Sequence, residues 1–297
     1  MNNKHLKRTL KRNAVAYSFV LPDLIGLTLF IIIPIIYAGY ISLFNYNFAN
    51  VKEFIGLQNY ITMFHDSRWL ESLGKTLKLT AMYVPSLFIL SLLCAVLISY
   101  IDHKKSSSII KTSFLIPYAI TSVVASCLWK FLLVEKRGFV NVFLKFLGLP
   151  MQKFLGSRDQ AMACIVIVLL WINLGYNTML FLSAIKDIPR DYTEAAKIDG
   201  ANKFQIFRSI TFPLIKQTSI FVLITTTIAS FQCLDFIMVM TGGGPAESTE
   251  VAALYIYDQS FQLMKAGYAS ALSVVLFFAL AVFAVVLLKL FNRKDRY

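Results

Sequence analysis

The chain has 297 residues, of which 57% are hydrophobic and 15% charged, and its mean hydropathy is +0.65. Soluble domains carry about 25% charged residues, so the composition excludes a cytosolic enzyme, a disordered chain and a secreted disulfide scaffold and leaves an integral membrane protein. The net charge of +13 fits basic loops that fix the orientation of a membrane protein better than it fits a nucleic-acid surface.

A spanning helix needs about 20 mostly apolar residues. Six charge-free runs meet that length or approach it: Leu24–Phe44, Leu79–Ile101, Thr112–Trp129 (continuing past Lys130 to Val134), Ala161–Ile185, Gln217–Leu234 (continuing past Asp235 to Met240) and Ala266–Leu288. Their length excludes the short alternating strands of a membrane barrel. The fold expected is an all-α, six-helix membrane bundle. Lys4, Lys7, Arg8, Lys11 and Arg12 precede the first run as in a secretory signal, but its 21 residues exceed a signal core and no small-residue cleavage site follows. It reads as a retained first helix. With both termini placed inside, 18 of the 29 basic residues fall on the inner side, which favours cytoplasmic ends. Pro34, Pro85 and Pro117 lie inside spans, as kinks or as packing features.

No catalytic or metal set stands out. Gly74-Lys75-Thr76 resembles the end of a phosphate loop, but Trp69 occupies the position of the required upstream glycine. His5, His65 and His103 have no metal spacing, and Cys94, Cys127, Cys164 and Cys233 are scattered through spans as small apolar residues. Intramembrane charge is confined to Lys130, near an outer helix end, and Asp235. Ion-coupled carriers place carboxylates in several helices. Uphill transport by this chain would therefore draw its energy from another subunit.

The connection between the fourth and fifth runs, 186–216, is long, charged and patterned. Pro189 ends the preceding helix, and Asp191 or Thr193 can cap a short helix over Tyr192–Asp199. Ala195 and Ala196 give that helix a flat surface for close packing. Gly200 allows a reversal at positive φ. Asn202–Ile210 reads as a second helix with Phe204, Phe207 and Ile210 facing the bundle, and Pro213 opens the next span. The alternative is an amphipathic helix on the headgroups, although its acids and paired alanines suit that poorly.

Glu194-Ala195-Ala196, Asp199-Gly200-Ala201, Phe207, Ile210 and Pro213-Leu214 resemble the EAA loop of binding-protein-dependent ABC importers, with Phe212 where Leu is more usual. Thr241-Gly242-Gly243-Gly244-Pro245 with Thr249, then Tyr255, Tyr257, Phe261 and Gly267-Tyr268-Ala269-Ser270-Ala271, resemble the first permease subunit of carbohydrate importers of the maltose and glycerol-3-phosphate type. Gly56-Leu57-Gln58-Asn59-Tyr60 with Phe64, and Gly138-Phe139-Val140-Asn141 with Gly148-Leu149, fit the same subunit. The resemblance covers nearly the whole chain, without the extra N-terminal spans and large periplasmic insertion of the maltose permease. It implies a cytoplasmic tail, first helix and external loop over 1–72 and a permease core over 73–297 with its coupling loop at 186–216.

The resemblance further implies a non-catalytic subunit in the plasma membrane of a prokaryote. Its partners would be a second permease, two ATPase subunits that hold the ATP and Mg, an external solute-binding protein and a carbohydrate, with no cofactor on this chain and no nucleic acid. Glu194, Ala195, Ala196, Asp199, Gly200 and Ala201 would form the coupling helix in an ATPase cleft. Helical spacing puts Asn173 and Asn177 on one face beside Tyr176, and puts Thr226, Ser230 and Cys233 on another, next to Gln232 and Asp235. The family places solute contacts in these two helices, so these eight residues are substrate-path candidates; interhelical hydrogen bonding is the competing role. Asp235 could instead pair with a neighbouring subunit or brace the turn at Gly242–Pro245. Gly242, Gly243, Gly244 and Pro245 would face the binding protein, or simply make a turn. A phosphate-bearing cargo would want fixed cations, so a neutral oligosaccharide is favoured over glycerol-3-phosphate or a polyol. A self-sufficient secondary transporter is the less favoured alternative.

Overall fold

The computed structural model describes residues 17–48, 52–101 and 103–292. The basic residues at 4–12 and 293–296, which entered the orientation count, lie outside that set, as does His5. Among the described residues, four unbroken helices are long and apolar enough to cross a membrane: α1 (Tyr17–Ile41), α3 (Ser67–Ser99), α7 (Ala161–Lys186) and the 266–289 stretch of α12 (Ala266–Asn292). Two bent pairs bring the number of spans to six. A helix satisfies its own backbone hydrogen bonds, which a chain in hydrocarbon requires.

The chain divides into two compact units, 1–66 with 256–279, and 67–255 with 280–297. In the first unit, α1 begins seven residues before the expected run and contains a widened turn at 28–32, where Ile33 N–H reaches Thr28 O. This turn lies immediately ahead of Pro34, whose ring crowds the carbonyl four residues back. A two-stranded hairpin that hydropathy did not reveal follows, β1 (Phe44–Tyr46) antiparallel to β2 (Lys52–Phe54), with Phe44 opposite Phe54. Asn59, at the start of α2 (Gln58–His65), donates to Ser42 O (2.8 Å) and Phe44 O (3.0 Å) and so fixes the hairpin base. A Cβ at Gly267 would overlap the Phe44 carbonyl, and Tyr268 OH donates to Asp66 Oδ2 at 2.6 Å. The Gly56–Tyr60 and Gly267–Tyr268 motifs therefore meet in this unit.

In the second unit, α3 and α7 pack along their length, and α10 (Lys216–Phe231) joins them. One core cluster gathers Leu79, Tyr83, Leu87, Ile165, Leu169, Cys233 and Ile237; a second gathers Leu92, Ala95, Phe181, Leu182, Ile215 and Val222. Pro85 lies within α3 without ending it. The third expected span is not one helix. It divides into α4 (Lys104–Leu115), a tight turn at Pro117–Ala119 and α5 (Ser122–Leu132), with 95° between the arms. Pro117 lacks the N–H needed to continue α4, which makes it the proline that redirects the chain. The fifth expected span is also interrupted. After α10, Gln232 and Cys233 leave helical geometry and α11 (Leu234–Met240) starts afresh. The detached arms α5 and α11 pack on each other. Between α5 and α7 in the chain, α6 (Phe139–Phe146) is held by the buried Asn141, whose amide donates to Glu135 O and Gln152 O and whose carbonyl accepts from Gln152 N–H. That network accounts for the asparagine in Gly138-Phe139-Val140-Asn141.

Candidate functional site: a projecting helix, a polar cavity and a pinned loop

The connection after α7 forms two helices. The first, α8, runs Arg190–Ile198 and contains no buried residue. Neither Asp191 nor Thr193 caps it: Pro189 holds the cap position, Asp191 lies in the first turn, and Thr193 Oγ1 donates to Arg190 O. Asp191 still favours that end through its charge. Gly200 reverses the chain at φ +81° with open space where a side chain would go. The helix that follows, α9 (Lys203–Leu214), starts on a capping box that the sequence reading passed over, in which Asn202 Oδ1 accepts from Gln205 N–H and Gln205 Oε1 accepts from Asn202 N–H. Phe207 packs against the second core cluster, whereas Phe204 is 68% exposed, contrary to the expectation that it faces the bundle. It shares a helix face with Phe207 but lines an open apolar groove beside α3 and not the core. Pro213 falls in the last turn of α9, and the span itself opens at Lys216 after a 68° bend. Ala196, Asp199, Gly200 and Ala201 line an open cleft with Gln205 and Ser209 of α9. Glu194 and Ala195 lie on α8 itself.

The substrate-path candidates separate into two groups. Asn173, Ser230, Gln232, Cys233 and Asp235 line one polar cavity of about 180 Å3, together with Tyr83. The break after α10 creates this arrangement. In a continuous helix Cys233 would follow Thr226 and Ser230 down one face, but here it caps α11 and is buried. Ser230 Oγ lies 2.8 Å from Thr80 Oγ1 and so links α10 to α3. Asp235 Oδ2 accepts from Ser122 Oγ at 2.6 Å, which joins the two detached arms. Neither a subunit pair nor a brace for the glycine turn is needed to explain that contact. Thr226, Asn177 and Tyr176 do not line the cavity. Thr226 is buried and donates to Val222 O, Asn177 is buried and donates to Asn173 O, and Tyr176 stacks on Tyr118 with ring centroids 4.7 Å apart. Lys130, on α5, donates to Val239 O at 2.9 Å.

The glycine-rich turn is pinned rather than loose. Gly242 and Gly243 adopt φ of +60° and +88°, and Thr249 Oγ1 donates to Gly244 O while lying 2.8 Å from Thr241 Oγ1. Pro245 follows a cis peptide bond. Just beyond the turn, the buried Glu250 takes two hydrogen bonds from Arg68 of α3, Nη2 to Oε1 at 2.6 Å and Nε to Oε2 at 3.0 Å, and Arg68 also reaches Glu247 at 3.1 Å. Arg68, Glu250, Tyr83 and Ser122 were not singled out from the sequence. Arg68 and Glu250 are 182 positions apart, and no local pattern joins them.

A family model described as binding-protein-dependent transport system inner membrane component matches residues 54–297. The chain belongs to this family. The sn-glycerol-3-phosphate transport system permease protein UgpA of Escherichia coli (strain UTI89 / UPEC) is 35% identical over 95% of both chains. The probable ABC transporter permease protein YurN of Bacillus subtilis (strain 168) is 31% identical over 94% of this chain and 96% of its own. Among solved structures, a chain of a bacterial ABC transporter involved in the import of the acidic polysaccharide alginate superposes with TM-score 0.84, at 23% identity, covering 98% of this chain and all of that one. The fold is that of an ABC importer permease, and the protein is a membrane component of a binding-protein-dependent transport system.

Proposed function

We propose that this permease moves a carbohydrate, delivered by an external solute-binding protein, across a prokaryotic plasma membrane by alternating access, with the energy supplied by two separate ATPase subunits that bind ATP and Mg. A second permease would complete the pathway. Both termini and the 186–216 connection face the cytoplasm in this reading, and the Gly242–Pro245 turn faces the binding protein. The observation that carries it is α8. A nine-residue helix with no buried residue, held on a glycine reversal and carrying Glu194, Ala195 and Ala196, is built to be covered by another protein. Docked in an ATPase cleft, it would transmit closure of the ATPase dimer to a bundle with two stable arrangements.

Solute would pass Asn173, Ser230, Gln232 and Asp235, whose amides, hydroxyl and carboxylate suit sugar hydroxyl groups. No cation lines that cavity, which supports a neutral oligosaccharide. The likeness to UgpA supports glycerol-3-phosphate as a second reading.

Co-purification with candidate ATPase and permease partners tests the proposal, with wild type beside Glu194→Lys. Breaking a desolvated charged contact costs about 2–5 kcal/mol, so the variant should lose the ATPase or its coupling to transport. A chain that purifies alone and is indifferent to the substitution overturns the reading. Competition between a neutral oligosaccharide and glycerol-3-phosphate in the assembled importer separates the two cargoes.

A further inference from the structure

A second cavity, of about 420 Å3, lies between α3 and α9 and is almost wholly apolar. Ile89, Leu93 and Val96 along one face of α3, with Tyr100 just past its end, supply one side, and Phe204 and Phe207 supply the other. From Ile89 to Tyr100 the groove runs about 16 Å at 1.5 Å per residue, close to one leaflet of a hydrocarbon core about 30 Å thick. Its end is chemically distinct. Lys203 Nζ lies 4.8 Å from the centroid of the Tyr100 ring, and no acidic side chain lines the groove. Among the described residues Lys203 forms no ion pair.

We propose that this groove binds an anionic phospholipid, with one acyl chain along α3 and the headgroup phosphate on Lys203. The groove demands an occupant that is apolar over one leaflet's depth and negative at one end. A membrane-spanning helix of another subunit would meet only the first demand. Anionic lipids concentrate in the cytoplasmic leaflet, where basic pockets at helix ends hold their headgroups. The site sits at the root of α9, so its lipid would stiffen the connection that carries α8. The proposal rests on the membrane orientation given above and is independent of the cargo.

The test uses the assembled transporter in nanodiscs of phosphatidylcholine doped with photoreactive phosphatidylglycerol or, separately, photoreactive phosphatidylcholine, with crosslinks mapped by mass spectrometry. Phosphatidylglycerol should label the 89–96 stretch of α3 and the Phe204–Phe207 turn in preference to phosphatidylcholine. Lys203→Ala should reduce that preference about fivefold, the share of one lysine at an anionic surface, and Lys203→Arg should retain it. Equal labelling by both lipids in wild type overturns the proposal. So does a groove that neither lipid labels and in which a cysteine at Leu93 crosslinks to the second permease, because that outcome assigns the groove to a protein interface. The wild-type comparison and Lys203→Arg keep the test decisive if Lys203→Ala fails to assemble.

Discussion

Gly175 shows how much one missing side chain can determine. A Cβ at this position on α7 would overlap the Phe114 carbonyl of α4, so the two helices approach as closely as backbone allows. Small residues serve this purpose between membrane helices. Gly175→Val should destabilise the protein by at least the 1–3 kcal/mol typical of overpacking, read as a lowered midpoint of thermal unfolding in detergent. Gly74→Val, at a glycine with nothing within 4 Å, should have a much smaller effect. Nothing in the sequence around Gly175 distinguishes the two glycines, because the partner backbone comes from another helix. Arg68 and Glu250 make the same point for charge. Glu250 is 2% exposed, while the Arg68 side chain remains about half exposed. Arg68→Ala leaves a buried carboxylate without its donor, a loss of about 1–3 kcal/mol. Proteolysis should then cut the 241–248 turn faster, with wild-type protein as the reference, and Glu250→Gln should give a milder version of the same effect.

At the scale of elements, hydropathy located every span but not its direction. A charge-free run of 18 residues reports enough length to cross a bilayer and nothing about a bend within it. Pro117 could have signalled the turn between α4 and α5, since its missing N–H is visible in the sequence; the break at Gln232–Cys233 contains neither proline nor glycine and arises from packing of α11 on α5. The polar cavity depends on that break, so only part of the candidate set converged there. Thr226 and Asn177 have helical spacing suited to a pathway, yet their donors are satisfied within their own helices, a common fate of hydroxyl and amide groups in spans. The 186–216 connection was more legible because its signals are local. Gly200 adopts the expected positive φ, and α8 starts within two residues of its expected position. Gly200→Ala places a Cβ in the left-handed region at a local cost of about 1 kcal/mol. With open space around it, the variant should fold and insert normally. Transport by the assembled importer should nevertheless fall well below the level of a Gly26→Ala control, because the reversal that aims α8 is strained. Undiminished transport would show that the exact pose of α8 is unimportant.

At the scale of the whole molecule, the proposed function requires two chemically different ends that meet two different partners, and this sidedness can be tested directly. The pinned turn at 241–250 follows α11, whereas α8 follows α7, and the α10–α11 path separates them. If α8 meets an ATPase and the glycine turn meets a solute-binding protein, a membrane must lie between. Single cysteines at the exposed Ala246 and Asp199, in a background with Cys94, Cys127, Cys164 and Cys233 replaced, report this without assuming any cargo. A membrane-impermeant maleimide should label the Ala246 position in intact cells, and the Asp199 position only after permeabilisation. Docking adds a second readout, because ATPase subunits should shield Asp199 in the assembled complex and expose it when they are stripped away. Labelling of both sites from outside would contradict the six-span arrangement. The reverse pattern would keep six spans but invert the protein, and with it the assignments of α8, the glycine turn and the lipid groove. The basic residues of the 186–216 connection weigh against inversion, since Lys186, Arg190, Lys197, Lys203, Arg208 and Lys216 would all have to be carried across the bilayer.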